Sequence, residues 1–264
     1  MPTPIDILFY PVSITALAIY ASLMCWEWLA PGRVLPTVRH WRLKGLAAFT
    51  VFFFLSSYLP LVWDQYLARY QLLDLTGLGT AGSAALGLLV YEFCAYWWHR
   101  WMHSSDLLWR GLHQMHHSAE RLDTFGAFWF SPLDMIGWTA VGSLSLVLVV
   151  GVTPQAATLL LLGITFLAIF QHANIRTPHW LGYLIQRPES HTIHHGKDIH
   201  RYNYADLPVF DMLFGTFRNP RGFEIETGFY PGASDRVADM LLFRDLNRSD
   251  AKNNPAVAVT DSIA

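Results

Sequence analysis

Residues 99–117 read HRWMHSSDLLWRGLHQMHH, and residues 191–195 read HTIHH. His99 and His103 stand four apart. His113, His116 and His117 fall at i, i+3 and i+4, and His191, His194 and His195 repeat that spacing. Residues three and four apart on a helix share a face, so each cluster can bring two imidazoles to one point. Neutral imidazole is a good ligand for iron, zinc, copper or nickel. Eight histidines are more than one four-coordinate ion needs, and three such clusters suit two metal ions held side by side.

Outward from the histidines, the chain is apolar. Of its 264 residues 53% are hydrophobic, 15% aromatic and only 14% charged, which points to a membrane protein. A net charge of −2 argues for no nucleic-acid partner. Cys25 and Cys94 both lie in apolar runs, so neither a disulfide framework nor a thiolate metal site is expected. Five stretches have the length and apolarity of a span, about 20 residues: Ile7 to Leu29, Gly45 to Trp63, Ala81 to Trp98, Met135 to Val152 and Pro154 to Phe170. The last two are joined at 151–154 by what reads as a tight turn. No small-residue cleavage site follows the first, which is expected to be a retained span.

Basic residues orient the bundle. Arg33, Arg39, Arg42 and Lys44 follow the first span, and Arg100, Arg110, Arg121, Arg176, Arg187, Lys197 and Arg201 follow the third and fifth. The segment after the second carries Asp64, Asp74 and a single Arg69. The positive-inside rule places the basic segments in the cytoplasm, with the N-terminus outside. All twelve histidines then fall on the cytoplasmic side, although none was used to set the orientation. The third span runs on into the first histidine pair, with Glu92, His99 and His103 at i, i+7 and i+11 on one face. The fold expected is all-α: a polytopic transmembrane helical bundle of four to five spans under a cytoplasmic histidine-rich helical cap. It forms a single domain over 1–243, with its histidine-box core at about 91–217. The polar stretch 244–264 reads as a flexible tail.

Not every histidine reads as a ligand. His40, between Arg39 and Trp41, suits a basic interfacial loop, and His179 in TPHWLG is isolated. His172 ends the fifth span, where a polar residue is more often functional, and makes a ninth candidate ligand. His200 follows the HTIHH box closely and is a candidate extra ligand or hydrogen-bond partner. Glu92, inside the third span, is a paired carboxylate or an acceptor for a ligand N–H. Glu27, near the end of its span, reads as interfacial. The chain contains no HExxH, GxSxG or GxxxxGK[ST] pattern. A nitrogen-rich pair of metals beside a membrane suits oxygen chemistry at two irons, because iron reaches high oxidation states and zinc does not. Zinc can still occupy such a site in purified protein.

With these motifs in view, the sequence resembles the fatty acid hydroxylase/sterol desaturase superfamily of integral-membrane non-haem di-iron enzymes. The family pattern is an HxxxH box, then HxxHH, then a late HxxHH followed by NYG-type and WDRLFGT-like stretches. Here these read HRWMH, HQMHH, HTIHH and RYNYADLPVFDMLFGTF. The segment FQHANIRTPHWLGYLIQRPESH is similar to the family's HSN-x-x-x-P-x-WL segment. The resemblance covers about Tyr91 to Phe217.

It implies that His99, His103, His113, His116, His117, His172, His191, His194 and His195 bind two iron ions. It also implies that molecular oxygen is co-substrate and that a C–H bond of a membrane lipid, fatty-acyl or sterol-like, is hydroxylated. Electrons would arrive in trans from a ferredoxin or a cytochrome b5-type donor with an NAD(P)H reductase, in a bacterial inner membrane or the endoplasmic reticulum. The sequence departs from the pattern at Asp123, Trp129, Ser131, Arg176 and Ala205. Asp123, and Asn203 of the Asn203-Tyr204-Ala205 stretch, are further candidate ligands or hydrogen-bond partners. Phe125, Phe128, Trp129 and Phe130, which follow the second box, are candidate walls of a substrate channel. Desaturation is the alternative outcome, since both reactions begin by hydrogen abstraction. A metal transporter or storage protein is the non-enzyme alternative, and would place its ligands in broken helices near the midplane.

Overall fold

The computed structural model describes residues 1–223 and 226–247. Proline and capping hydroxyls set where its long helices begin. Pro11, Pro132 and Pro154 each take a first-turn position, where no N–H is needed. Ser131 Oγ accepts the Asp134 N–H at 3.2 Å and Thr153 Oγ1 accepts that of Ala156 at 3.1 Å. The five long helices are α1 (Pro11–Leu29), α2 (Trp41–Leu67), α3 (Gly79–Ser104), α4 (Pro132–Ser143, continued as a π-helix through Leu144–Val149) and α5 (Pro154–His172).

All five are long and apolar enough to cross a membrane. Their outer faces carry exposed Leu61, Val62, Leu86, Leu89, Leu159 and Leu161. Such a surface is a liability in water and costs nothing in hydrocarbon. At about 1.5 Å per residue, α2 and α3 are roughly 40 Å long, enough to span and still project beyond the membrane.

The helices alternate in direction. The end of α1, the start of α2, the end of α3, the start of α4 and the end of α5 meet at one side. Glu27 on α1 accepts the N–H groups of Thr124 and Asn174, both at 2.9 Å, and Trp41 on α2 donates its indole N–H to Asp123 at 2.8 Å. Gly45 lets α2 press on the Phe125 carbonyl, where a Cβ has no room. At the far side a short parallel strand pair joins Leu73 to Val150 and Asp74 to Gly151.

Several boundaries differ from the sequence reading. A short helix, Pro4–Leu8, precedes α1 as a separate piece. α2 begins at Trp41 and α3 continues through His103 to Ser104. The 151–154 joint is held by the strand pair, which a run of apolar residues does not announce. Glu27 is not merely interfacial but ties three segments of the cap together. The tail does not begin at Arg244: Leu246 is 1% exposed and its N–H reaches Gln114 Oε1 at 3.4 Å. The rest of the expected tail, 248–264, lies outside the described residues.

Candidate metal centre

α3 carries His99 and His103 on one face, and α5 ends on His172. Between α3 and α4, residues 106–117 form a helical run whose middle, Trp109–His113, is a π-helix leading into Gln114–His117. π-Turns rotate the side chains that follow and recur at functional sites. A fourth element, α6 (Pro188–His194), brings the late box.

Nine imidazoles converge into two groups. One is His99, His103, His113, His117 and His194; the other is His116, His172, His191 and His195. Within each, one ring nitrogen per residue lies within 4.8 Å of all the others. Each HxxHH box is divided between them. His113 and His117 enter the five-membered group and His116 the other; His191 and His195 enter the four-membered group and His194 the first. Neighbouring positions on a helix diverge by roughly 100°, so a box with two adjacent histidines faces two points at once. The groups therefore adjoin, and the His117 and His195 rings stack across them at 4.2 Å.

Outer hydrogen bonds fix the tautomers. Nδ1–H is donated by His99 to Tyr204 O at 2.7 Å, by His113 to Asp134 Oδ2 at 2.8 Å, by His172 to Ala168 O at 2.6 Å and by His194 to Tyr202 O at 2.8 Å. The three carbonyl oxygens only accept, so His99, His172 and His194 each present a lone pair at Nε2, and His113 does so where Asp134 is ionised. Burial holds His113, His116, His117, His191, His194 and His195 neutral, well below the ordinary histidine range, and the crowding of rings adds to it.

The arrangement calls for cations. With Asp134 ionised, His99 Nε2 and His113 Nε2 face each other 2.9 Å apart with both lone pairs inward, a contact that a bound cation satisfies. In the second group, Nε2 of His172 lies 3.0 Å from that of His116 and 3.1 Å from that of His191, which is 3.1 Å from that of His195. Two nitrogens about 3 Å apart match two ligands held at about 2.1 Å, at right angles, by one ion. His103, His117 and His194 each bury an Nε2 that has no partner. The residues fit a pair of nitrogen-liganded transition-metal ions.

Other candidates lie outside this constellation. Glu92 does not touch a histidine ring: Oε2 accepts the backbone N–H groups of Asp206 and Leu207 at 3.0 and 3.1 Å, pinning the loop whose Tyr204 carbonyl holds His99. Asp123 bonds Trp41, Arg121 and the Gly126 N–H. Asn203 ties Ser190 to Arg218. His200 approaches the cluster from one side, its Nδ1 3.2 Å from that of His117, and joins neither group. It lines a polar cleft of about 160 Å³ with His103, Asp106 and Trp109. His40 sits exposed at the start of α2, and His179 Nε2 donates to Asn219 O at 3.0 Å.

Phe128, Trp129 and Phe130 are buried in an aromatic cluster with Phe49 and Phe52, and Phe125 is packed at its edge. An apolar groove lies elsewhere. It has about 530 Å³, between Phe93, Trp97, Trp98 and Trp101 of α3 and Val141 and Leu144 across from them. Trp138, on the same wall of the bundle, packs on His99 with ring centroids 5.6 Å apart. Asp134 was invisible as a site residue, because SPLD reads as an ordinary capped helix start with an acid in its first turn.

The sequence profile of the fatty acid hydroxylase family matches residues 84–216, half of the chain and every one of the nine histidines. The chain belongs to the fatty acid hydroxylase family. Among similar proteins, this family member is 34% identical over 53% of its length to 43% of the ornithine lipid hydroxylase OlsE of Rhizobium tropici. It is 31% identical over 60% of its length to 57% of the Delta(7)-sterol-C5(6)-desaturase of Nicotiana tabacum. It is 32% identical over 62% of its length to 35% of the alkylglycerol monooxygenase of Homo sapiens. The chain thus spans about half the length, or less, of these relatives. No solved structure matches it. The fatty acid hydroxylase profile ends at 216, before Phe229, which packs on Trp109 and His200 at the cleft.

Proposed function

We propose that this chain is a membrane-bound, O2-dependent oxidoreductase that hydroxylates a C–H bond of a fatty-acyl or sterol-like lipid. The observation that carries the reading is the facing lone pairs of His99 and His113 inside a cluster of nine neutral imidazoles at the ends of apolar helices. Two iron ions, one in each histidine group, are the cofactor proposed; zinc is the expected substitute in purified protein. Bound there, such a pair supplies the oxidising chemistry that an unactivated C–H bond requires. The overall balance is RH + O2 + 2e⁻ + 2H⁺ giving ROH + H2O, with the electrons delivered in trans by a ferredoxin or cytochrome b5-type donor and its NAD(P)H reductase.

The chain's own residues supply place and access. The nine rings hold the oxidant where membrane helices end, so a lipid presents a carbon near its polar end or a ring held upright. The groove between α3 and α4 opens to the hydrocarbon and runs beside the helix that carries His99 and His103, and we assign it to the lipid chain in place of the closed Phe128–Phe130 cluster. The basic segments support a cytoplasmic cap.

The similarity to a sterol desaturase favours one second reading, removal of two hydrogens to leave a double bond. A transporter is disfavoured because the ligands gather at helix ends and in the cap, not in broken helices at mid-span. Membranes containing the protein, given labelled dioxygen, a reductase, a donor and a lipid extract, are expected to yield a lipid with one labelled oxygen. An unlabelled product with a new double bond moves the assignment to desaturation, and no oxidised lipid under any donor contradicts both.

A further inference from the structure

His113 is the ring in the five-histidine group whose outer nitrogen meets a carboxylate. Its Nδ1–H is donated to Asp134 Oδ2 at 2.8 Å, and the two side chains are 1% and 0% exposed. The other rings with fixed outer bonds, His99, His172 and His194, reach only neutral carbonyls. His191 and His195 leave Nδ1 with no partner. The carboxyl contact thus falls on one group and not on the other.

Asp134 is placed for this role from two directions. It sits in the first turn of α4, where the helix dipole favours an anion, and its N–H is capped by Ser131 Oγ. The Ser131 hydroxyl in turn donates to Leu112 O at 2.9 Å, so the start of α4 is bolted to the turn that carries His113. Asp134 Oδ1 has no hydrogen-bond partner. A fully buried carboxylate with one oxygen unpaired is expensive unless positive charge stands nearby, and a cation on the inner nitrogen of His113 provides it. A carboxylate behind a ligating imidazole raises its donor strength and favours the more highly charged state of the metal.

We propose that Asp134 is a positioning residue that acts through His113 to make the two metal sites electronically unequal, lowering the reduction potential of the ion in the five-histidine group. This rests on the two-metal reading above. The test uses full-length protein loaded with ⁵⁷Fe, and the variants D134N, D134E and S131A. Asparagine keeps an acceptor oxygen and removes the charge; S131A removes the cap and keeps the charge.

Wild type is expected to show two Mössbauer components of equal area and reduction in two steps. In D134N one component shifts, the other stays, and the gap between steps narrows. D134E restores the wild-type pattern, and S131A, which loosens the seat of Asp134 but keeps its charge, changes it less than D134N does. If D134N weakens metal binding, the loss is confined to one of the two ions, by about 10–100-fold in affinity. An unchanged D134N spectrum, equal shifts in both components, loss of both ions together, or an S131A spectrum that copies D134N each overturns the assignment. Wild-type protein without stoichiometric iron overturns instead the two-metal reading beneath it, and metal content separates the two failures.

Discussion

At His116 and His194 the two HxxHH boxes cross over, each sending one imidazole to the group its box-mates do not join. Substituting either position therefore removes a ligand from a different group. His116→Ala is expected to empty the four-histidine group, His194→Ala the five-histidine group, and both to abolish turnover. His40→Ala and His179→Ala should keep metal content and activity near wild type; equal losses at all four positions would refute the partition. A second prediction follows from burial. His200 is held down to about 4 from an ordinary 6.5 by desolvation, and the rings of the 113–117 and 191–195 boxes lie lower than usual for the same reason. As pH falls below 6.5 the unfolded chain takes up protons that the folded chain refuses, so the stability of metal-free protein declines from about pH 6.5 towards pH 4. Thermal unfolding of chelator-treated protein across that range checks this, and a midpoint independent of pH contradicts it. The histidine spacings were legible because a repeated chemical type at helical intervals has few other causes. Asp134 was not, since capping explains it fully, and Glu92 was legible only as a buried acid, since its partner is backbone 114 residues away.

Among the elements, α3 serves both parts of the proposed site: its inner face presents His99 and His103 and its outer face lines the groove. Filling that groove with Leu144→Trp is expected to lower turnover or shift the preferred chain length while leaving both metals bound; unchanged kinetics across a lipid series would remove the groove from the substrate's path. Phe128→Ala should behave differently. Phe128 is 5% exposed and packs on Phe49 and Phe52, so its truncation is expected to cost stability, about 3–5 kcal/mol, ahead of selectivity. The five helices were legible from apolar length, but of the proline starts only Pro154 was: the first and fourth begin at Pro11 and Pro132, where apolar length alone suggested Ile7 and Met135. Two features were not. The π-turn at Trp109–His113 leaves no mark in a sequence whose spacing already suits an α-helix, and a run of aromatics such as FGAFWF looks alike whether it lines a channel or fills a core.

For the whole molecule, the basic loops of the five-span bundle predict one orientation, with the cap in the cytoplasm. With Cys25 and Cys94 replaced by serine, single cysteines at Thr76, beside the strand pair, and at Asp198, in the cap, are expected to be reached by an impermeant thiol reagent from opposite sides of the membrane, with Thr76 on the outside. The reverse pattern would invert the bundle and leave the metal centre where it is. The most direct test of the central claim, two ions held by groups of five and four histidines, is the metal content of active protein expressed with iron. About two ions per chain are expected in wild type and about one in the His116→Ala, His191→Ala double variant, which strips the smaller group alone. Active wild-type protein with one ion or none, or a double variant that still holds two, would contradict it.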